Sequence, residues 1–281
     1  MESINRDILV PYMAAYKTYL DRQAHGKNAR PLSNEQEDYK RRIPIKATET
    51  LDQGRWSESD IGTGSIGEKA IKAVQKNRNL VGRFQVTAFS DKVRDNPETV
   101  ERILFDLYCN RKDHECFDRL CDVFGRKYDL LAYLYFILDP NSYLPLRSSI
   151  FDKVFMKLKI NLQTSGRCSW ENYQYFLNTV ALVRDVMKDY FQISDVDLLD
   201  AHSFLWTLNL GVLKIDDGND KKPEIEDYEK IIEAGAAVFH KRYGEGIITN
   251  ITEEKIYAQF DNGLRIFNYT DAFEKGYLTL I

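Results

Sequence analysis

The chain carries four cysteines, four histidines and seven prolines in 281 residues. It has no apolar run long enough to cross a bilayer. Each scarcity excludes something. The thiols at Cys109, Cys116, Cys121 and Cys168 form no paired Cys-x-x-Cys spacing, so neither a disulfide framework nor a zinc ribbon is written into the chain, and reduced thiols are the simplest reading. No basic leader followed by an apolar core opens MESINRDILVPYM. A signal peptide is therefore not expected, and a cytoplasmic location without membrane partners is. A net charge of −4 gives no overall pull toward nucleic acid or an anionic surface.

Catalytic sets are also missing. His25, His114, His202 and His240 are too few and too scattered for an HNH-like nuclease. His202 stands near Asp200 and Ser203, but a sequence neighbour points to another helical face. A core histidine among Leu199, Phe204, Leu205 and Trp206 is the stronger reading. Cys109, His114, Cys116 and Cys121 are the nearest approach to a metal set. On one continuous helix they would not converge, although the polar break at residues 110–113 leaves room for convergence. No catalytic residue, metal ligand or cofactor is assigned, and the chain leans away from being an enzyme.

What is present is helical periodicity over most of the chain. Ile4, Ile8, Met13, Tyr16, Tyr19 and Leu20 predict a first helix, with Pro11 inside it. Ser33 opens a second, expected to stop before Pro44, and residues 44–67 read as irregular. Asn96-Pro97-Glu98 is a cap, an N1 proline and an acidic first turn, followed by Val100, Ile103, Leu104, Leu107 and Tyr108. Phe117, Leu120, Cys121 and Phe124 form the next stripe, ended by Gly125. The segment Tyr128–Leu138 is almost wholly apolar, too long for an ordinary strand, and reads as a buried central helix. Helices beyond Ser148, behind a Ser169 cap, and over Asp197–Leu208 complete a helical body.

Within the irregular stretch, Gly62-Thr63-Gly64-Ser65-Ile66-Gly67 fits G-x-G-x-x-G in form. A dinucleotide site needs a buried strand just before it, and residues 53–60 are not one. A local role is preferred: Ser65 capping a helix that starts near Ile66, with Glu68 completing a capping box. Lys69, Lys72, Lys76, Arg78 and Arg83 follow, the densest basic run in the chain. They are the candidate nucleic-acid contacts, weighed against an ordinary solvated face.

The pattern changes after an acidic linker at 217–234. Ala237 with Phe239, Gly246-Ile247-Ile248-Thr249, Lys255–Phe260 and Leu264–Phe267 are short β-rich runs separated by turn formers. Asn262-Gly263 predicts a type I′ hairpin. Lys241, Arg242, Lys255, Arg265 and Lys275 are offset by Glu245, Glu253, Glu254, Asp261, Asp271 and Glu274. That balance favours a protein surface over a phosphate backbone. Tyr243, Arg242, Tyr257, Arg265 and Phe267 are the candidate partner contacts.

This C-terminal stretch resembles the small SH3-like, Tudor-like barrel of UvrD-type DNA helicases and of CarD-like and transcription–repair coupling proteins. Gly235, Val238, His240, Tyr243-Gly244-Glu245-Gly246, Ile248, Ala258-Gln259-Phe260 and Gly263 carry the resemblance. It implies an interaction module for a protein such as RNA polymerase, or for nucleic acid. No motor motif accompanies it. More loosely, GTGSIGEKAIKAVQKNRNLV, LPLRSSIFDKVF, CSWENY and DLLDAHSFLW resemble helical regions of bacterial proteins linked to restriction and phage defence.

The sequence therefore predicts a mainly α chain. A helical body over 1–216 precedes the acidic linker and an SH3-like β-barrel at 235–281. A non-catalytic interaction protein is expected, docking a protein or nucleic-acid machinery through the barrel. The alternative is a DNA- or RNA-binding, or nuclease-associated, subunit using the Lys69–Arg83 face.

Overall fold

The computed structural model describes residues 4–23, 30–77, 80–213, 215, 237–252, 255–268, 272 and 277–280. The linker at 217–234, Gly235 and Arg78 lie outside the described residues. The chain divides into two compact units, Met1–Asp216 and Asp217–Ile281.

The first unit is helical: α1 (Arg6–Asp21), α2 (Tyr39–Leu51), α3 (Ser65–Gln75), α4 (Arg83–Asp95), α5 (Pro97–Tyr108), α6 (Asp113–Phe124), α7 (Tyr128–Leu138), α8 (Ser148–Lys157), α9 (Trp170–Phe191) and α10 (Leu198–Asn209). The apolar segment at 128–138 is a helix and sits at the centre. Nine of its eleven residues are buried, among them Leu130 through Ile137 in unbroken succession. Such a run has no polar face to offer water, so neighbours must surround it. Buried tyrosines still find acceptors there: the Tyr133 hydroxyl of α7 donates to the Ala73 carbonyl at 3.0 Å, and Tyr108 of α5 donates to the Leu134 carbonyl at 2.8 Å. Phe117, Tyr128, Tyr135, Tyr143, Trp170 and Tyr173 form one ring cluster joining α6, α7 and α9.

Two boundaries differ from expectation. α2 starts at Tyr39 and runs through Pro44 to Leu51. Proline removes one backbone donor, but Ile43, Ala47 and Leu51 continue the buried stripe past it, so burial outweighs the lost bond. α4 occupies a stretch for which no element was expected, and only Phe89, Ser90 and Val93 of its thirteen residues are buried. Caps behave unevenly. Ser169 accepts from the Asn172 amide at 3.2 Å as expected. Pro97 opens α5, while the Asn96 side chain makes no cap bond. The box expected at Ser65 is absent: Gly64 precedes α3 with a φ of 86°, and Glu68 turns to Arg94 at 2.9 Å. A capping box stands instead at the start of α10, between the N-cap Asp197 and Asp200.

The second unit is an antiparallel sheet: β1 (Ala237–His240), β2 (Gly244–Ile251), β3 (Lys255–Phe260), β4 (Gly263–Asn268) and the two-residue β5 (Thr279–Leu280). Strand order is β4-β3-β2-β1-β5, so β4 and β5 are its two edges among the described residues. Val238, Ile248, Ile256, Ala258, Phe260, Ala272 and Leu278 form a small core of its own. Phe260 pairs with Gly263 across Asp261-Asn262. Gly263 has a φ of 105°, whereas Asn262 is not in the positive-φ region, so the expected type I′ turn is not formed. Such a turn needs positive φ at both central residues; here one glycine after the turn absorbs it.

Candidate functional site

The sheet of the second unit has two unlike faces. Side chains alternate along each strand, so residues paired across strands share a face. One face carries the core just described. On the other, Ile247 pairs with Gln259, which pairs with Leu264, and Tyr257 pairs with Ile266. Phe239 joins this face from β1, opposite Glu245. Ile247 is 54% exposed, Leu264 47%, Ile266 55% and Phe239 41%. A single exposed leucine is ordinary, but four large apolar groups on one face of a small sheet form a patch.

The five residues singled out from the sequence divide between the faces. Tyr243, Arg265 and Phe267 belong to an aromatic group with His240 and Phe260. The His240 and Tyr243 rings stack with centroids 4.4 Å apart, and His240 lies 5.4 Å from Phe267. The Arg265 guanidinium sits 4.9 Å from the Tyr243 ring centre and donates to the carbonyls of Leu264 at 2.9 Å and Asn262 at 3.1 Å. Arg242 stands 5.9 Å from the same ring. His240 Nδ1 accepts from the amides of Arg242 and Tyr243 at 3.0 and 3.3 Å. Desolvation, then the Arg242 charge, lowers its pKa, which keeps the ring neutral and able to accept. Tyr257 lies on the opposite, apolar face. Gly246 is required where it stands, because a Cβ there would lie 2.5 Å from the Phe260 ring and 2.7 Å from the Gln259 carbonyl.

In the body, Lys69, Lys72 and Lys76 recur at helical spacing on α3. Lys69 reaches Asp52 at 3.5 Å and Lys76 donates to the Thr50 hydroxyl at 2.5 Å. Lys72 is exposed, and so is Arg83 at the first position of α4. The glycine-rich loop beside them is already filled. Amides of Gly62 and Gly64 donate to Glu101 Oε2 at 2.7 and 3.1 Å, and the Gly67 amide donates to Oε1 at 2.6 Å. Glu101 is fully buried. The loop does make an anion cradle of converging amides, but the anion is the protein's own carboxylate. Gly67 permits the approach: a Cβ there would lie 2.5 Å from Val93 Cγ1 and 3.3 Å from Glu101 Oε1.

The histidine and cysteine suspicions resolve into packing. His202 is buried, with Nε2 3.0 Å from the Pro145 carbonyl and Nδ1 3.5 Å from Lys40 Nζ. Nε2 must carry the proton to face a carbonyl, leaving Nδ1 as the acceptor for Lys40. Burial, reinforced by the Lys40 charge, holds its pKa well below the ordinary value. Lys40 is itself buried, paired with Glu37 and placed 4.4 Å from the Trp206 ring centre. Asp200 turns instead to Arg41 and Arg30 at 2.5 and 3.1 Å. The cavity beside His202, bounded by Lys40, Leu80, Arg147 and Trp206, measures about 10 Å³, room for no more than one water. The four metal suspects separate. Cys109 Sγ approaches the Gln53 carbonyl at 3.9 Å, and Cys116 Sγ the Ile103 carbonyl at 3.6 Å. His114 Nε2 meets Glu171 at 3.3 Å, and the Cys121 thiol is buried. Among the described residues no three His, Cys, Asp or Glu side chains converge as a metal set.

Sequence reasoning missed the outer-face residues Phe239, Ile247, Leu264 and Ile266. The available signal was strand phase: Ile256, Ala258 and Phe260 alternate with Tyr257 and Gln259. Among the described residues no helix is long and apolar enough to cross a membrane. Compared with known proteins, the chain matches no protein-family model, no curated protein and no solved structure.

Proposed function

We propose that this chain is a non-catalytic interaction protein whose C-terminal sheet is an SH3-like module that docks a protein partner. One observation carries the reading: half-exposed Phe239, Ile247, Leu264 and Ile266 share the face opposite the sheet's own core. Water-facing apolar area of this kind is hidden when a partner packs on it, and aromatic neighbours such as Tyr257 suit that role. The resemblance of the helical body makes restriction or phage defence the setting we assign. The module's balanced charge argues against a phosphate ligand. In the alternative, nucleic acid would bind along α3 and the start of α4. Lys72 and Arg83 are exposed there, but Lys69 and Lys76 already have partners and the adjoining amide cradle is filled.

The test is recovery of partners from a bacterial lysate on tagged full-length protein, with nuclease, comparing wild type with an Ile247→Asp/Ile266→Asp variant. A protein retained by wild type in moderate salt and lost from the variant, with both melting alike, is the expected result. Recovery of nucleic acid by both, weakening steeply with salt, would overturn this reading in favour of the basic face.

A further inference from the structure

The outer face of the C-terminal sheet is apolar in its middle and oppositely charged at its two ends. Strand register sorts its side chains into rows. Glu245 stands beside Phe239 in the first row, and Ile247 beside Gln259 and Leu264 in the second. Tyr257 stands beside Ile266 in the third, and Lys255 beside Asn268 in the last. Glu245 lies at the start of β2 and Lys255 at the start of β3. Those strands run antiparallel, so the acid and the base stand at opposite ends of the face. Both are exposed, and neither makes an ion pair among the described residues. No other charged residue stands in these rows. Gln259, set among the apolar groups, turns its amide back to the Phe260 carbonyl at 2.9 Å.

From this arrangement we propose that the occupant of the face is a second copy of this chain, packed sheet to sheet about a two-fold axis that crosses the strands between the second and third rows. Such pairing rests on the docking role assigned to the sheet and names the partner. A two-fold axis in that direction turns the second sheet end for end, and every contact occurs twice. The first row of one copy faces the last row of the other, so each Glu245 meets Lys255 of the other copy. The second row faces the third, so Ile247 and Leu264 pack against Tyr257 and Ile266 of the other copy. Stacked sheets about 10 Å apart leave room for these side chains to interdigitate. The two charges cancel, and they answer each other only in a face turned end for end, which makes the face its own complement. Size sets the strength. Four strands about 4.8 Å apart, each about six residues long at about 3.3 Å per residue, make a face of about 400 Å². Two such faces cover about 800 Å², below the roughly 1,200–2,000 Å² of a stable interface, so the dimer is a weak one that forms in the micromolar range.

The experiment is sedimentation velocity of full-length protein from low to high micromolar concentration. The expected result is a shift from monomer toward dimer that Ile247→Asp/Ile266→Asp abolishes while melting like wild type. Charge reversal is the sharper arm. Glu245→Lys alone sets like charges against each other at both contacts, and so does Lys255→Glu alone, so each should weaken the dimer about threefold or more. Mixed in equal amounts, the two variants should dimerise with each other as well as wild type does, because every contact again joins a lysine to a glutamate. A protein that stays monomeric throughout would overturn the pairing. So would a dimer that survives in the aspartate variant, or a mixture no more associated than its components. If a monomeric protein still retains a lysate protein through Ile247 and Ile266, the docking role stands and only the second copy falls; if it retains none, both fall.

Discussion

The glycine-rich loop of the body and the outer face of the C-terminal sheet make an instructive pair. The loop has the form of a ligand site, G-x-G-x-x-G at a helix start. Its three amides are nevertheless saturated by Glu101, and Gly67 is packed against Val93. The sheet face carries no ligand motif, yet Ile247, Leu264 and Ile266 stand half in water. A short motif records what the backbone can do locally. Availability is decided by what tertiary structure brings against it. Buried polar groups must be satisfied from within, so the loop is closed; apolar area left outside a completed core is free for a partner.

Removing the carboxylate breaks this comparison most strongly. Glu101→Ala leaves the buried Gly67 amide without its acceptor, while the amides of exposed Gly62 and half-buried Gly64 can turn to water. We expect it to destabilise the body by about 1–3 kcal/mol in urea unfolding, chiefly through the one buried donor. Glu101→Gln retains an acceptor oxygen and should cost less. Little change in Glu101→Ala would mean that water or another group fills the cradle readily, and that the loop is open after all.

The two glycines that permit close approach sharpen the contrast between units. Gly67→Ala forces Val93 aside and should cost about 1–3 kcal/mol, read as a lower midpoint of helical unfolding. Gly246→Ala meets Phe260 and the Gln259 carbonyl, a rigid backbone atom. It should disorder the sheet while far-ultraviolet helicity stays near wild type. Loss of helicity in Gly246→Ala would contradict the independence of the two cores.

Acid stability follows from Asp106 at the end of α5. Burial opposes its charge, but bonds from Arg119, Asn110 and Lys112 outweigh burial and hold its pKa down at about 2. A depressed carboxylate contributes stability that is fully present above its unfolded pKa, near 3.9, and is lost as pH falls through the folded value. Wild type should therefore lose stability between about pH 4 and pH 2 more steeply than Asp106→Asn. Parallel profiles would remove Asp106 from the account. The smallest stability effect belongs to the open face: Ile266→Asp should shift unfolding by no more than about 0.5 kcal/mol, because the side chain is already wet.

Much of the architecture was legible because it is local. The apolar run at 128–138 could only be surrounded, the Ser169 cap acts on the turn that follows it, and the β-rich runs after residue 236 became β1 to β4. What escaped the sequence is long-range. α2 passes Pro44 because its buried stripe continues against other helices, and α4 forms while burying only Phe89, Ser90 and Val93. Glu101 lies 34 residues beyond Gly67, and nothing near either announces that they meet. The division of Tyr257 from Tyr243, Arg265 and Phe267 depends on strand phase. Ile247 and Ile248 read alike in sequence, yet the first is exposed and the second buried.

The most direct test of the central claim places a photo-crosslinking side chain at one of two positions in full-length protein, Tyr257 on the outer face of the sheet or Lys72 on α3. Both proteins are irradiated in a bacterial lysate treated with nuclease. We predict a discrete protein adduct from position 257 and none from position 72. A protein adduct from position 72 alone, or nucleic acid captured there when nuclease is omitted while position 257 stays unreacted, would contradict the assignment of function to the sheet.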